Sequence, residues 1–271
     1  MSSPRVRRVD VRRKRGARRE RAEDGVAVEE PLEIRVLGRP LAVVMRTPGD
    51  DLDLAAGFLV TEGIVAPDDL GALAPCAGAD GRELENVVNA SLVEGASIDF
   101  ERFRRTLPAS SSCGVCGKAT LDSIEVAAPP VASAVRVAET VLLGLPARCR
   151  RDQEAFEATG GLHAAALFDA SGGLLDLRED VGRHNAVDKV VGAAVRAGRY
   201  PLDDRVLFVS GRAGFEIVQK ARVARIPVVA AVGAPSTLAV DCASRGAMTL
   251  VGFLRDGGYN VYCGEERIAA G

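Results

Sequence analysis

The chain has 271 residues, enough to bury a full hydrophobic core in one large domain or two smaller ones without disulfide staples. Apolar residues make up 47% and charged residues 27%, with no Trp and 4% aromatics, which describes a globular chain with an aliphatic core. The formal net charge of -2 hides an asymmetry: residues 1–21 carry ten Arg or Lys against Asp10 and Glu20, leaving 25 basic and 35 acidic residues, about -10, on the remainder.

In chain order, residues 1–25 predict a basic, solvated and flexible arm. Such a start could bind nucleic acid or an acidic partner, but no helix-turn-helix or RNA-binding pattern supports specific recognition, so no nucleic-acid partner is expected. Val26-Ala27-Val28 runs straight into Glu29-Glu30-Pro31 with no apolar h-region, which argues against a secretion signal, and no segment reaches the ~20 apolar residues of a membrane span. A cytoplasmic protein with no membrane partner is expected.

Residues 26–107 predict a small α+β domain. Pro31 to Leu37 alternates toward Gly38 as a half-buried strand, Leu41 to Met45 forms a second, and Asn86 to Val93 another. Thr47-Pro48-Gly49-Asp50 opens a helix with Leu52, Ala55, Ala56 and Leu59 on one face. Residues 108–130 break this periodicity: Pro-Ala-Ser-Ser-Ser-Cys-Gly-Val-Cys-Gly-Lys is turn chemistry throughout, and predicts a mobile loop and linker.

Residues 131–271 predict the second domain. After helical stretches from near Ser133 and around Gln153 to Ala158, Leu162 to Phe168 and Leu174 to Leu177 flank Asp169-Ala170-Ser171-Gly172-Gly173 as a hairpin. Val187, Val190, Val191, Ala194 and Val195 mark a helix that closes at Gly198. Three strand-helix units follow, with strands at Arg205 to Val209, Val228 to Val232 and Thr249 to Leu254 and helices near Phe215 to Ala224 and Thr237 to Ser244. Short apolar strands alternating with helices indicate a parallel sheet covered on both faces.

The loops leaving parallel strands share one sheet edge, where ligands of such sheets bind. Arg183, Arg212 and Arg255 bring guanidinium groups there, Ser210, Ser236 and Thr237 bring hydroxyls, and Gly211, Gly257 and Gly258 let backbone amides approach an anion. A phosphate-bearing ligand is expected. Gly-rich strand-helix turns also occur for steric reasons alone, and no full dinucleotide or P-loop motif is present. Of the two histidines, His184 lies beside Arg183 at this edge, whereas His163 reads as a hydrogen-bonded residue of the hairpin.

Six cysteines at irregular spacings are not a secreted disulfide framework. Cys76, Cys149, Cys242 and Cys263 read as small apolar residues. Cys113 and Cys116 admit three readings: half of a zinc site, which lacks a second pair; a dithiol couple, which lacks its usual βαβ setting; or a nucleophilic sulfur carrier. Carriage suits a glycine-flanked loop, and Lys118 with Arg102, Arg104 and Arg105 would stabilise a thiolate. Spacing does not say which cysteine bears the sulfur.

Several motifs together resemble a known family: Met45 to Ala55 (MRTPGDDLDLA), Ser111 to Lys118 (SSCGVCGK), Glu179 to Lys189 (EDVGRHNAVDK) and Ser210-Gly211-Arg212. This set resembles the formate dehydrogenase accessory sulfurtransferase family, FdhD, from about Glu29 to the C-terminus. The resemblance implies a sulfurtransferase that receives sulfur from a cysteine desulfurase as a persulfide on Cys113, with Cys116 supporting. It would deliver that sulfur to the molybdenum or tungsten bis-molybdopterin guanine dinucleotide cofactor before insertion into formate dehydrogenase. It also implies that Phe253, Leu254, Arg255, Asp256, Gly257 and Gly258 contact that cofactor, alongside Arg183, His184, Ser210, Gly211 and Arg212, and that the protein is a homodimer. The implied fold is a cytidine-deaminase-like three-layer α/β/α domain preceded by the smaller α+β domain. A deaminase needs H-x-E and P-C-x-x-C zinc ligands, whereas the corresponding positions hold Arg183-His184-Asn185 and Arg212-Ala213-Gly214, so no catalytic zinc is expected. The alternatives are a non-catalytic chaperone of the same cofactor and a CxxC dithiol oxidoreductase.

Overall fold

The structure, a computed structural model, describes residues 5–77, 83–100, 103, 126–255 and 257–270. The expected CxxC loop with Cys113, Cys116 and Lys118 lies outside the described residues, as do Arg102, Arg104, Arg105 and Asp256.

The basic segment is not an irregular arm. Strands β1 (Val6–Arg15) and β2 (Arg18–Ala27) pair in antiparallel register through a two-residue turn at Gly16 and Ala17. Gly16 adopts φ +58°, a conformation that glycine takes without a Cβ penalty and that two-residue hairpins require. The base is tied down: Val28 N–H donates to the Arg5 carbonyl at 3.0 Å, and Arg5 pairs with Asp50 at 2.5 Å.

Strands β3 (Glu30–Val36), β4 (Arg39–Arg46), β5 (Leu70–Ala77) and β6 (Glu83–Leu92) form a sheet in the order β4-β3-β6-β5. β3 runs parallel to β6, and the outer pairs are antiparallel. Alternation places Leu32, Ile34 and Val36 on the buried face, where helix α1 (Asp51–Thr61) supplies Leu54 and Leu59 and the chain beyond β6 supplies Phe100 and Phe103.

The larger sheet has the order β13-β12-β11-β10-β8-β9. Its elements follow a short strand β7 (Val137–Ala138) and helices α2 (Glu139–Arg151) and α3 (Glu154–Thr159). In chain order they are β8 (His163–Phe168), β9 (Leu174–Asp180), α4 (Arg183–Arg196), β10 (Val206–Val209), α5 (Phe215–Val223), β11 (Val228–Ala231), α6 (Thr237–Arg245), β12 (Thr249–Arg255) and β13 (Gly258–Cys263). A final strand β14 (Ile268–Ala269) pairs with β7. β10, β11 and β12 are parallel, as expected, while β8, β9 and β13 are antiparallel to their neighbours. The sheet is therefore mixed rather than parallel throughout, and β13 turns back where only a loop was expected.

Side chains of β10 alternate between two cores. Leu207 and Val209 meet Val187, Val190 and Ala221 of α4 and α5, while Val206 and Phe208 meet Leu142, Leu145 and Cys149 of α2. Helices thus cover both sheet faces, and the protein is a mixed α/β fold. Residues from Ser133 to Arg136, expected to be helical, lie in neither helix nor strand, and α2 begins only at Glu139.

The two units lock together where α1 crosses α4. A Cβ added to Gly57 would stand 1.8 Å from the Asp188 carbonyl oxygen, and one on Gly192 would stand 1.8 Å from that of Asp53. The helices touch backbone to backbone, a separation that only glycine allows. Around this crossing lies a buried polar lattice. Lys220 donates to Thr61 Oγ1, Glu62 and Asp188 at 2.8–2.9 Å, and Thr61 donates to Asp188 at 2.7 Å. Burial alone would lower the Lys220 pKa, but the Asp188 and Glu62 carboxylates overcome it and hold that pKa above the usual lysine value.

Candidate functional site

The loop from β9 into α4 is held from beneath. Lys189, fully buried, pairs with Asp180 at 2.8 Å and donates to the Thr47 carbonyl at 2.8 Å. Asp180 also accepts from the backbone amides of Thr47 and Gly182 at 3.1 and 2.8 Å, and Asn185 Nδ2 donates to the Met45 carbonyl at 2.7 Å. Glu179 accepts from Ala155 and Phe156 N–H at 2.9 and 2.7 Å, satisfying the orphan donors that begin α3. Most of the Glu179 to Lys189 segment is thus a clamp between the two units, and so is Thr47 of the Met45 to Ala55 segment. Arg183 and His184 are the residues this clamp leaves at the sheet edge.

The neighbouring loops are stitched to one another. Gly233 N–H donates to the Gly211 carbonyl at 2.9 Å, Ser236 N–H to that of Ala213 at 3.2 Å, and Phe253 N–H to that of Gly233 at 3.2 Å. These backbone hydrogen bonds join the loops after β10 and β11 and the end of β12 at one sheet edge. Ser210 turns inward: its Oγ accepts from Ala164 N–H at 2.8 Å, which ties β10 to β8. Ser236 Oγ caps α6 by accepting from Ala239 N–H at 3.3 Å. Arg212 is exposed at the edge.

Past β12 the predicted ligand residues divide. Phe253 is 36% exposed with φ +54°, and the Arg255 guanidinium lies 5.8 Å from its ring centroid. Leu254, by contrast, is fully buried in the core against α2, so its side chain cannot meet a ligand at the edge. Alternation along the strand sends neighbours to opposite faces. Gly257 at φ +77° and the exposed Gly258 form the turn into β13.

Two residues join this site that the sequence did not assign to it. His163 begins β8, which runs antiparallel to β10, so its start lies at the edge where β10 ends; a Cβ on Gly211 would sit 3.3 Å from its Nδ1. Glu216, in the first turn of α5, faces His184 Nε2 at 3.7 Å, an ion-pair separation beyond hydrogen-bond length. The topology alone could have located His163; Glu216 had no signal.

The electrostatics favour an anion. Burial, then the Arg183 and His184 charges, lower the His163 pKa, so the imidazole is neutral near pH 7. Burial pushes the Glu216 carboxyl up, but the neighbouring His184 and Arg183 and its own helix amide overcome this and hold it below the usual range. Arg183 Nε and His184 Nε2 are buried and have no hydrogen-bond partner among the described residues. An unsatisfied buried N–H is costly, and a ligand oxygen would satisfy that of Arg183, whereas His184 Nε2 already faces the Glu216 carboxylate. Because the folded His163 pKa lies below its unfolded value of about 6.5, its contribution to stability is complete above that pH and declines as pH falls through it. Urea unfolding followed from about pH 7.5 to about pH 5 should show stability falling on acidification, with a shallower fall in His163→Gln; equal slopes would refute the assignment.

Of the described cysteines, Cys149 and Cys242 are buried and Cys76 and Cys263 partly so. Burial, then the nearby Glu179 and Asp152 carboxylates, push the Cys149 thiol up to about 12, which leaves it inert as a nucleophile. Among the described residues no group of three or more His, Cys, Asp or Glu is placed to hold a metal ion, and no helix is long and apolar enough to cross a membrane.

Fold and site together define a mixed α/β protein whose sheet edge gathers Arg183, Arg212, His163, His184 and Glu216. The chain belongs to the FdhD/NarQ family, whose model matches residues 27–269. A protein named sulfur carrier protein FdhD from Streptomyces avermitilis is 53% identical over 256 residues, covering 91% of this chain and 89% of the relative. Its namesake from Mycobacterium tuberculosis is 49% identical over 251 residues, covering 90% and 91%. The crystal structure of a protein described as a formate dehydrogenase accessory protein from Desulfotalea psychrophila matches with a TM-score of 0.74 at 23% identity, over 97% of this chain and 99% of that one. At that identity the match speaks for the fold.

Proposed function

We propose that this protein is a sulfur carrier that loads a persulfide on Cys113 and hands its terminal sulfur to a guanine-dinucleotide pterin held at the sheet edge, for use by formate dehydrogenase. The name shared by the relatives, sulfur carrier protein, supports carriage; the formate dehydrogenase connection and the chemistry of Cys113 are our reading. In loading, the Cys113 thiolate attacks the outer sulfur of a cysteine desulfurase persulfide. One S–S bond forms as another breaks, and the donor leaves as a thiolate. In delivery the supporting Cys116 thiolate attacks the inner sulfur of the Cys113 persulfide: a Cys113–Cys116 disulfide forms as the bond to the outer sulfur breaks, that sulfur leaves at the sulfide level for the acceptor, and a small-molecule thiol reduces the disulfide for the next cycle.

The observation that carries this reading is where the chain enters and leaves the CxxC segment. Phe103 is buried in the smaller core, ten residues before Cys113, and Val126 lies ten residues after Cys116. Val126 N–H donates at 2.9 Å to Gln219 Oε1, and Arg222 reaches the Ala128 carbonyl. The chain therefore lies along α5, whose first residue, Phe215, stands at the ligand edge. Gln219 is about 6 Å of helix rise below that end, and ten residues span up to about 33 Å, so a thiol at Cys113 or Cys116 has the reach to deliver there.

At the edge, Arg183 and the neighbouring Arg212 and Arg255 would bind the acceptor's diphosphate, and Phe253 offers a face on which its guanine can stack. The metal, molybdenum or tungsten, belongs to the acceptor, which is the substrate of the transfer. Loading and delivery separate experimentally. Arg183→Met should still take up sulfur from a desulfurase, yet bind guanosine diphosphate roughly tenfold more weakly in calorimetry and fail to activate a formate dehydrogenase. Unaltered nucleotide binding would remove Arg183 from the acceptor site. Wild-type-like activation by a double Cys113→Ala, Cys116→Ala variant would favour the non-catalytic chaperone.

A further inference from the structure

The β1–β2 hairpin carries a charge pattern that the sulfur-carrier reading does not use. Register places Arg12 directly opposite Arg21 and Lys14 directly opposite Arg19, and in an antiparallel pair opposite residues share a face. All four are exposed, and their side chains form no ion pair or hydrogen bond among the described residues. The other face carries Val9, Val11 and Ala22, each partly covered. Two like-charged cross-strand pairs in succession oppose hairpin formation, and a two-stranded ribbon is marginal to begin with. The arrangement gains from a partner that neutralises it.

We propose that the outer half of this hairpin is a docking surface for an acidic, extended protein segment. Residues i and i+2 of a strand are about 7 Å apart and paired strands about 5 Å, so carboxylates on alternate residues of such a segment can meet the four cations in turn. Nucleic acid fits less well. The same face carries Asp10 opposite Glu23 one step nearer the body, the chain outside residues 1–21 has a formal charge of about -10, and residues 5–27 include no aromatic side chain for base stacking. A short acidic segment engages the tip without meeting those charges, whereas a longer polyphosphate cannot.

The cross-strand register supplies its own test. In the full-length double variant Arg12→Glu with Arg19→Glu, each new carboxylate faces a remaining cation, Arg21 or Lys14, so the hairpin is strengthened while the docking charge is removed. A fluorescent peptide of about five residues alternating Glu and Ser, titrated at low salt, should bind wild type in a salt-sensitive manner and bind the variant at least roughly tenfold more weakly, with no loss of thermal stability. No binding to wild type at low salt, or equal binding to the variant, would overturn the proposal. So would tighter binding to a duplex oligonucleotide of matched charge or to anionic phospholipid vesicles.

Discussion

Replacing Gly192 with alanine should destabilise the protein by roughly 3 kcal/mol or more, an outsized effect for one added methyl group. The new Cβ would fall 1.8 Å from the Asp53 carbonyl oxygen and 2.6 Å from the Gly57 nitrogen, both backbone atoms of α1 that no side-chain rotation can move aside. Relief requires the helices to separate, which disturbs the reciprocal contact of Gly57 with Asp188 and the lattice around Lys220. Gly144→Ala provides the contrast. It too lies inside a helix, but its nearest neighbour is the flexible Arg148 side chain at 3.6 Å, so the gain in helix propensity should leave stability unchanged or raised by up to about 1 kcal/mol. Urea denaturation of both variants checks the pair, and equal midpoints would contradict the close crossing. Since α4 presents Arg183 and His184, loosening the crossing should weaken ligand binding as well.

Lys220→Met should be nearly as damaging, at about 3–5 kcal/mol, because it strands the Asp188 carboxylate in the interior. Asp188 would retain one donor, Thr61 at 2.7 Å, and lose two ammonium contacts at 2.9 Å. Adding Asp188→Asn removes the stranded charge and preserves an acceptor for Thr61, so the double variant should recover more than half of the loss. A double variant no more stable than Lys220→Met would mean that the cost comes from packing and not from the uncompensated charge.

Much of this architecture was legible because periodicity reports burial. Apolar runs such as Val206–Val209 and Val228–Ala231 could only be inner strands, and the spacing from Val187 to Val195 only a helix, so the ligand edge followed from connectivity. Periodicity was silent where backbone or charge decides. The hairpin at residues 6–27 is arginine-rich, and the two-residue turn at Gly16 was its main signal. β5 contains Gly71 and Pro75, both poor strand formers, and is held by its pairing with β6. The charged motifs were harder to apportion. Asp180, Asp188 and Lys189 look as ligand-like in sequence as Arg183 and His184, yet they are buried between the units, and only tertiary contacts separate clamp from site.

Sulfur carriage requires a thiol at Cys113 that takes up one sulfur atom and lies within reach of the arginine-bearing edge. The most direct test is the intact mass of the protein after incubation with a cysteine desulfurase and cysteine. Wild type should gain the mass of one sulfur, released by a reducing agent, and Cys113→Ala should gain none. An unchanged wild-type mass, with the same donor demonstrably loading a control acceptor, would contradict it.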